Sequence, residues 1–177
     1  MTLAPGRDVQ TITALVLALV GDGVHARKLA ARLSSDFPLS TVLQRFWLPT
    51  ISAEIEIGRG NATTAIELLQ ATSPYEFGVP PPVAALYPAY ARGQAYLRAG
   101  NGTAAEAEFQ KFLDHRGLVA NFPLGSLARL GLARARAVAG DATGARAAFQ
   151  DFLALWKDAD PDIPILKEAK AEYTKLQ

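Results

Sequence analysis

Apolar and small residues recur along this chain at helical spacing, in segments that come in pairs. Ala14, Leu15, Leu17, Ala18 and Leu19 mark the first segment, and Leu29, Ala30 and Leu33 its partner. Ala53, Ile55 and Ile57 are followed by Ile66, Leu68 and Leu69. Tyr90, Ala91, Ala95, Tyr96 and Leu97 precede Phe109, Phe112 and Leu113. Leu127, Leu130, Leu132 and Ala133 precede Phe149, Phe152 and Leu153. The later members of the last two pairs match closely, Glu-Phe-Gln-Lys-Phe-Leu at 108–113 against Ala-Phe-Gln-Asp-Phe-Leu at 148–153. No β-type alternation persists, so the pattern predicts an all-α chain.

Each pair is joined by Gly followed by Asp or Asn: Gly21-Asp22, Gly60-Asn61, Gly100-Asn101 and Gly140-Asp141, at intervals of 39, 40 and 40 residues. Glycine suits the left-handed residue that ends a helix, and Asp or Asn suits the cap of the next. Five residues after each Gly stands an alanine, Ala26, Ala65, Ala105 and Ala145, small enough for two helices to cross closely. Self-similarity at this interval predicts an α-solenoid of four helical hairpins, over about 8–38, 40–73, 84–116 and 124–156, in one domain. Phe109 then fills core volume, and Phe109→Ala should cost about 3–5 kcal/mol. Asp36-Phe37-Pro38, the stretch from Ser73-Pro74 through Pro80-Pro81-Pro82, and His115 to Pro123 separate the hairpins. Pro49 and Pro88 each either start or kink a helix. Ile163, Leu166, Ala169, Tyr173 and Leu176 mark one face of a final helix over about 162–176, fit to cover the last open side of the array.

Composition narrows the chemistry. With 177 residues, half of them apolar, the chain can bury a sizeable core, and a net charge of +1 gives no general pull toward nucleic acid. There is no cysteine, hence no disulfide, thiolate nucleophile or Cys-based zinc site. The apolar run Ile12 to Val20 is too short to span a bilayer, and no signal peptide is read; a cytoplasmic location is expected, or an extracytoplasmic one if an anchor lies upstream.

The third hairpin, with Tyr90, Ala91, Gly93, Tyr96, Gly100, Ala105 and Phe109, resembles the tetratricopeptide repeat, and Pro38 after the first hairpin fits it too. The period of 40 exceeds the usual thirty-four or so, and hairpins two and four carry Ala53 with Glu56 and Ala133 with Arg136 in place of the Gly and Tyr. Longer stretches resemble the C-terminal tetratricopeptide region of acidobacterial eukaryote-like serine/threonine kinases and related winged-helix regulators. They include Gly6-Arg7-Asp8-Val9-Gln10, Trp47-Leu48-Pro49-Thr50, Ala65-Ile66-Glu67-Leu68-Leu69-Gln70, Leu86-Tyr87-Pro88, Leu113-Asp114-His115-Arg116-Gly117 and the run from Trp156 to Lys167. The resemblance implies a right-handed solenoid serving as the sensory or regulatory arm of a larger signalling protein. No Gly-rich phosphate loop, His-Arg-Asp or Asp-Phe-Gly is present, so kinase activity does not carry over to these residues.

In such a repeat the first helices line the concave side. Projected onto this chain, that side carries Trp47, Thr50, Glu54, Tyr87, Tyr90, Gln94, Arg98, Leu127, Leu130 and Arg134. Aromatics with arginine are the residue types of binding hot spots, so a protein or peptide partner is expected there, with no cofactor and no catalysis. The alternatives are that Trp47, Tyr87 and Tyr90 pack beneath the 73–83 loop, or that the repeats self-associate as a homodimer.

Other candidates are weaker. Asp158, Asp160 and Asp162 have calcium-loop spacing without the downstream Gly and Glu, and capping of the last helix accounts for them better. His25 and His115 lack a companion at metal-ligand spacing. Ser34, Ser35 and Ser126 lack a partnered base. Arg129, Arg134, Arg136 and Arg146 form a basic stripe that inter-helix ion pairs with neighbours such as Glu106 explain better than nucleic acid.

Overall fold

A computed structural model describes residues 6–78, 86–120 and 122–177. Among them the chain is all-helical, with no strand. In chain order the helices are α1 (Arg7–Leu19), α2 (Gly23–Asp36), α3 (Leu48–Gly58), α4 (Ala62–Gln70), α5 (Tyr87–Arg98), α6 (Gly102–Asp114), α7 (Arg116–Val119), α8 (Leu124–Val138), α9 (Ala142–Leu155) and α10 (Pro164–Thr174). The expected loop through Pro80, Pro81 and Pro82 lies outside the described residues. The stretch from His115 to Pro123, expected as a plain connection, contains the short helix α7.

All four Gly-Asp/Asn junctions are built alike. Gly21, Gly60, Gly100 and Gly140 have φ of 86°, 82°, 73° and 85°, the left-handed region where a Cβ would be strained. The residue after each glycine donates its N–H five residues back: Asp22 to the Leu17 carbonyl at 2.8 Å, Asn61 to Glu56, Asn101 to Tyr96 and Asp141 to Arg136, each at 2.9 Å. The glycine N–H bonds three residues back, so orphan carbonyls at the helix end are satisfied. The Asp22, Asn101 and Asp141 side chains then accept from the N–H of His25, Ala104 and Gly144, capping the next helix. Asn61 departs from the expected pattern. Its amide is drawn back to donate to Glu56 Oε2 at 2.7 Å, and α4 has no side-chain cap.

The two prolines behave differently. Pro88 sits in the first turn of α5, where a missing N–H costs little. Pro49 also sits in the first turn of its helix, α3, but the backbone runs into it through a π-helical turn, Leu43–Trp47. The wider turn takes up the register where the proline lacks its donor.

Packing follows the pairs. α1 lies against α2, α3 against α4, α5 against α6 and α8 against α9, while α1, α3, α5 and α8 touch in succession. Ala26, Ala65, Ala105 and Ala145 are wholly buried at the crossings. The Phe109 ring of α6 is wedged between two glycines. A Cβ on Gly93 of α5 would stand 2.7 Å from it, and one on Gly131 of α8 would stand 2.6 Å away. A continuous core runs from α1 to one side of α8. On the other side Leu130 and Ala133 join Phe149, Phe152, Leu166 and Ala169 in a second cluster covered by α10.

Candidate functional site: the face shared by the first helices

The residues expected on one face fall into three groups. Trp47, Tyr90, Gln94, Leu127 and Arg134 are partly exposed, and Arg98 is exposed. Glu54 and Tyr87 are nearly buried, each at 8% exposure. Thr50 and Leu130 correct the expectation, because neither reaches the surface. Thr50 is fully buried and donates its hydroxyl to the Phe46 carbonyl at 2.6 Å, which satisfies a backbone group in the π-helical stretch. Leu130 faces the second core cluster.

The remainder is an electrostatically connected patch across α3, α5 and α8. Desolvation pushes the Glu54 carboxyl up to about 7, against the opposing pull of a hydrogen bond from the Tyr87 hydroxyl and of the Arg98 charge. Burial likewise raises Tyr87 and Tyr90 above the usual phenol range. Tyr90 accepts from Gln94 Nε2 at 3.2 Å, and its ring meets those of Phe109 and Phe112 edge-on at 5.7 and 6.2 Å. It therefore joins the core to the face. Trp47 sits edge-on to Phe46 at 4.9 Å.

Arg134 is engaged by α10. Its Nε and Nη2 donate to the two Glu172 oxygens at 2.8 and 2.7 Å, and Nη2 also reaches Glu168 at 3.3 Å. The fork geometry makes this a strong pair. Burial works against the guanidinium charge, but these carboxylates hold its pKa above the usual value. Arg98, by contrast, makes no hydrogen bond or ion pair among the described residues and keeps its donors free.

The remaining sequence candidates resolve into structural roles. Arg136 pairs with Glu106 of the adjacent hairpin at 2.8 Å, and Arg146 donates to the Leu176 carbonyl at 3.0 Å. Asp160 accepts from the Asp162 N–H within a turn, and Asp162 pairs with Lys167 of α10; neither caps α10, whose N-cap is Ile163 with no side-chain bond. His25 binds the Asp22 carboxylate and His115 packs on Phe77 at 4.5 Å between ring centres. Ser34 donates to Gln44 and Ser126 to the Pro123 carbonyl. No group of three metal-ligating side chains comes together among the described residues.

One charged cluster escaped the sequence reading. Arg92 is only 1% exposed. It donates to the Leu69 carbonyl and to Glu76 at 2.7 Å each, and to Glu108 at 2.8 Å; Lys111 closes the square on both carboxylates at 3.2 and 2.7 Å. Two cations and two anions cancel, and Thr72 adds a bond to Glu76. Burial disfavours the Arg92 charge, but Glu108 and Glu76 more than offset it and raise its pKa. The position of Arg92 between Ala91 and Gly93 carries no sign of these partners, which come from other segments of the chain.

Set against protein-family models, curated proteins and solved structures, the chain matches none.

Proposed function

We propose that this chain is a non-catalytic protein-interaction module. In this reading its four hairpins form a right-handed, tetratricopeptide-like solenoid, and the face of α3, α5 and α8 holds a peptide or protein partner. The observation that carries the reading is the electrostatic linkage of Glu54 on α3, Tyr87, Tyr90, Gln94 and Arg98 on α5, and Arg134 on α8, with no hydrogen bond or ion pair to Arg98 among the described residues. Aromatic burial supplies affinity in such an arrangement and a free guanidinium orients the partner. The sequence resemblance makes the module a sensory or regulatory arm of a larger signalling protein. No helix among the described residues is long and apolar enough to cross a membrane; the reading places the module in the cytoplasm, with kinase activity only if another domain supplies it.

The test is a pull-down with the double variant Tyr90→Phe, Arg98→Glu, which keeps the buried ring and reverses the free charge. A partner retained by wild type and by Lys170→Glu on α10, but lost from the double variant, supports the face. Retention of that partner by the folded double variant removes it.

One observation favours self-association as a second reading. Val9, Val16, Leu19, Val20 and Val24 are all exposed along α1 and the start of α2, with Val20 at 72%. A dimer closed through this stripe should sediment as a monomer after Val16→Glu.

A further inference from the structure

A cavity of about 440 Å³ opens where α6, α7, α8 and the end of α9 meet, lined by none of the residues of the face described above. Its volume falls within the range of small-molecule sites. Phe112, Phe122 and Trp156 give it apolar walls, and Arg116, Arg129 and Ser126 give it polar ones; no acidic residue lines it.

Its electrostatics are one-sided. Other arginines on these helices are spent: Arg134 on Glu172, Arg136 on Glu106 and Arg146 on the Leu176 carbonyl. Arg116 and Arg129 alone face a shared hollow, and neither makes a hydrogen bond or ion pair among the described residues. The N-terminal end of the 15-residue helix α8 opens at the same place with Pro123 as N-cap and no side-chain cap. Ser126, the residue placed to help, donates its hydroxyl to the Pro123 carbonyl instead of accepting an N–H. The Gly125 and Ser126 N–H groups bond the Phe122 and Pro123 carbonyls, so the helix end adds its positive dipole, rather than free donors, to the two guanidinia.

The cavity wall is also shaped at a cost. Ala120 has φ 47° and ψ −131°, a conformation that non-glycine residues rarely hold. Gly125 lets α7 lie close to α8; a Cβ there would stand 2.7 Å from Val119 Cγ1.

We infer that this cavity is a binding site for a small organic anion, a carboxylate or phosphate ester on a flat apolar body, held by Arg116 and Arg129 with its body against Trp156 and Phe122. Planar guanidinia bind either oxyanion in a two-pronged manner, and aromatic walls take a ring in offset or edge contact. Such a ligand would bridge hairpins three and four through the α7 connection, at residues other than those of the α3–α5–α8 face.

The experiment is an NMR titration of the whole chain with phenyl phosphate, benzoate, inorganic phosphate and neutral p-cresol. Phenyl phosphate or benzoate is expected to shift the Trp156 indole N–H and the amides of Leu124 to Ser126 saturably in the millimolar range, leaving the Trp47 indole unmoved. Arg129→Gln and Arg116→Gln should each weaken binding about tenfold or more, as loss of a charge-assisted bond requires. Both side chains are unpaired among the described residues and solvent-accessible, so the variants should fold like wild type. The stronger of the two ring-bearing probes tells whether phosphate or carboxylate is preferred, and a weaker response to inorganic phosphate shows that the apolar body contributes. The inference is overturned if no ring-bearing anion shifts these signals saturably, if p-cresol does so equally well, or if both arginine variants bind as wild type.

Discussion

Glu54 is a carboxylate placed where a carboxylate is expensive. Its folded-state value of about 7 lies above the ordinary 4.5, because burial favours the protonated form. The folded chain therefore holds a proton that the unfolded chain releases between those two values. Stability from this group is complete below about pH 4.5, falls as pH rises toward 7, and is lost above it. Glu54→Gln, which keeps an acceptor for Tyr87, should leave stability unchanged near pH 4.5. At pH 8 it should add up to about 3 kcal/mol. Urea unfolding of both proteins across this range checks it; a difference that does not vary with pH would show that Glu54 titrates normally. At this scale the sequence was informative about small residues and poor about charged ones. The alanines at 26, 65, 105 and 145 announced their burial by recurring. Nothing local distinguished Glu54 or Arg92 from a solvated charge, because what surrounds them comes from other helices. Arg92 finds its carboxylates 16 residues away on either side. Thr50 was misplaced for the related reason that its hydroxyl serves a π-helical carbonyl, and that turn has no signature in helical spacing.

Helices α5, α6 and α8 meet at the Phe109 ring, and their spacing there rests on missing atoms. Gly93→Ala would ordinarily favour a helix by about 1 kcal/mol. Here it should destabilise by about 1–3 kcal/mol, since the new methyl must displace a fully buried ring. Phe109→Ala should cost about 3–5 kcal/mol. The double variant should be less unstable than the two losses summed, because the shortened side chain makes room for the methyl. Thermal or chemical unfolding of the three variants checks this; strict additivity would separate Gly93 from the ring. Element existence and order were legible because breaker, cap and apolar period agree at each junction. The fourth hairpin, expected over 124–156, corresponds to α8 and α9 at Leu124–Leu155, whereas the second, expected over 40–73, corresponds to α3 and α4 at Leu48–Gln70. Gly131 was not foreseen, since the fourth hairpin was aligned on Ala133 and Arg136. The short α7 was hidden in a loop with no apolar repeat of its own.

Across the whole molecule the buried square of Arg92, Glu76, Glu108 and Lys111 fastens the end of the second hairpin to the third, and removing one member of such a set costs about 3–5 kcal/mol. Among the described residues no comparable buried charge cluster joins the region around α10. There the second cluster depends on Leu166, which is 2% exposed, and on the Arg134–Glu172 pair. Leu166→Asp should therefore loosen α8, α9 and α10 while α1 to α4 keep their protection. Amide hydrogen exchange resolves the two ends; uniform acceleration would mean that the chain opens as one cooperative unit. The division of the core at α8 was not legible in the sequence. One helix supplies both clusters, and its residues carry no mark of which neighbour they will meet.

The two extremities are chemically unlike. The outer side of α10 bears Lys167, Glu168, Lys170 and Lys175, all exposed, whereas α1 presents valines and a leucine. A grafted forty-residue unit would thus find adhesive ground ahead of Arg7 and repellent ground beyond Thr174. Lengthening the chain by protein engineering has a preferred direction, and the valine side is where the graft should go.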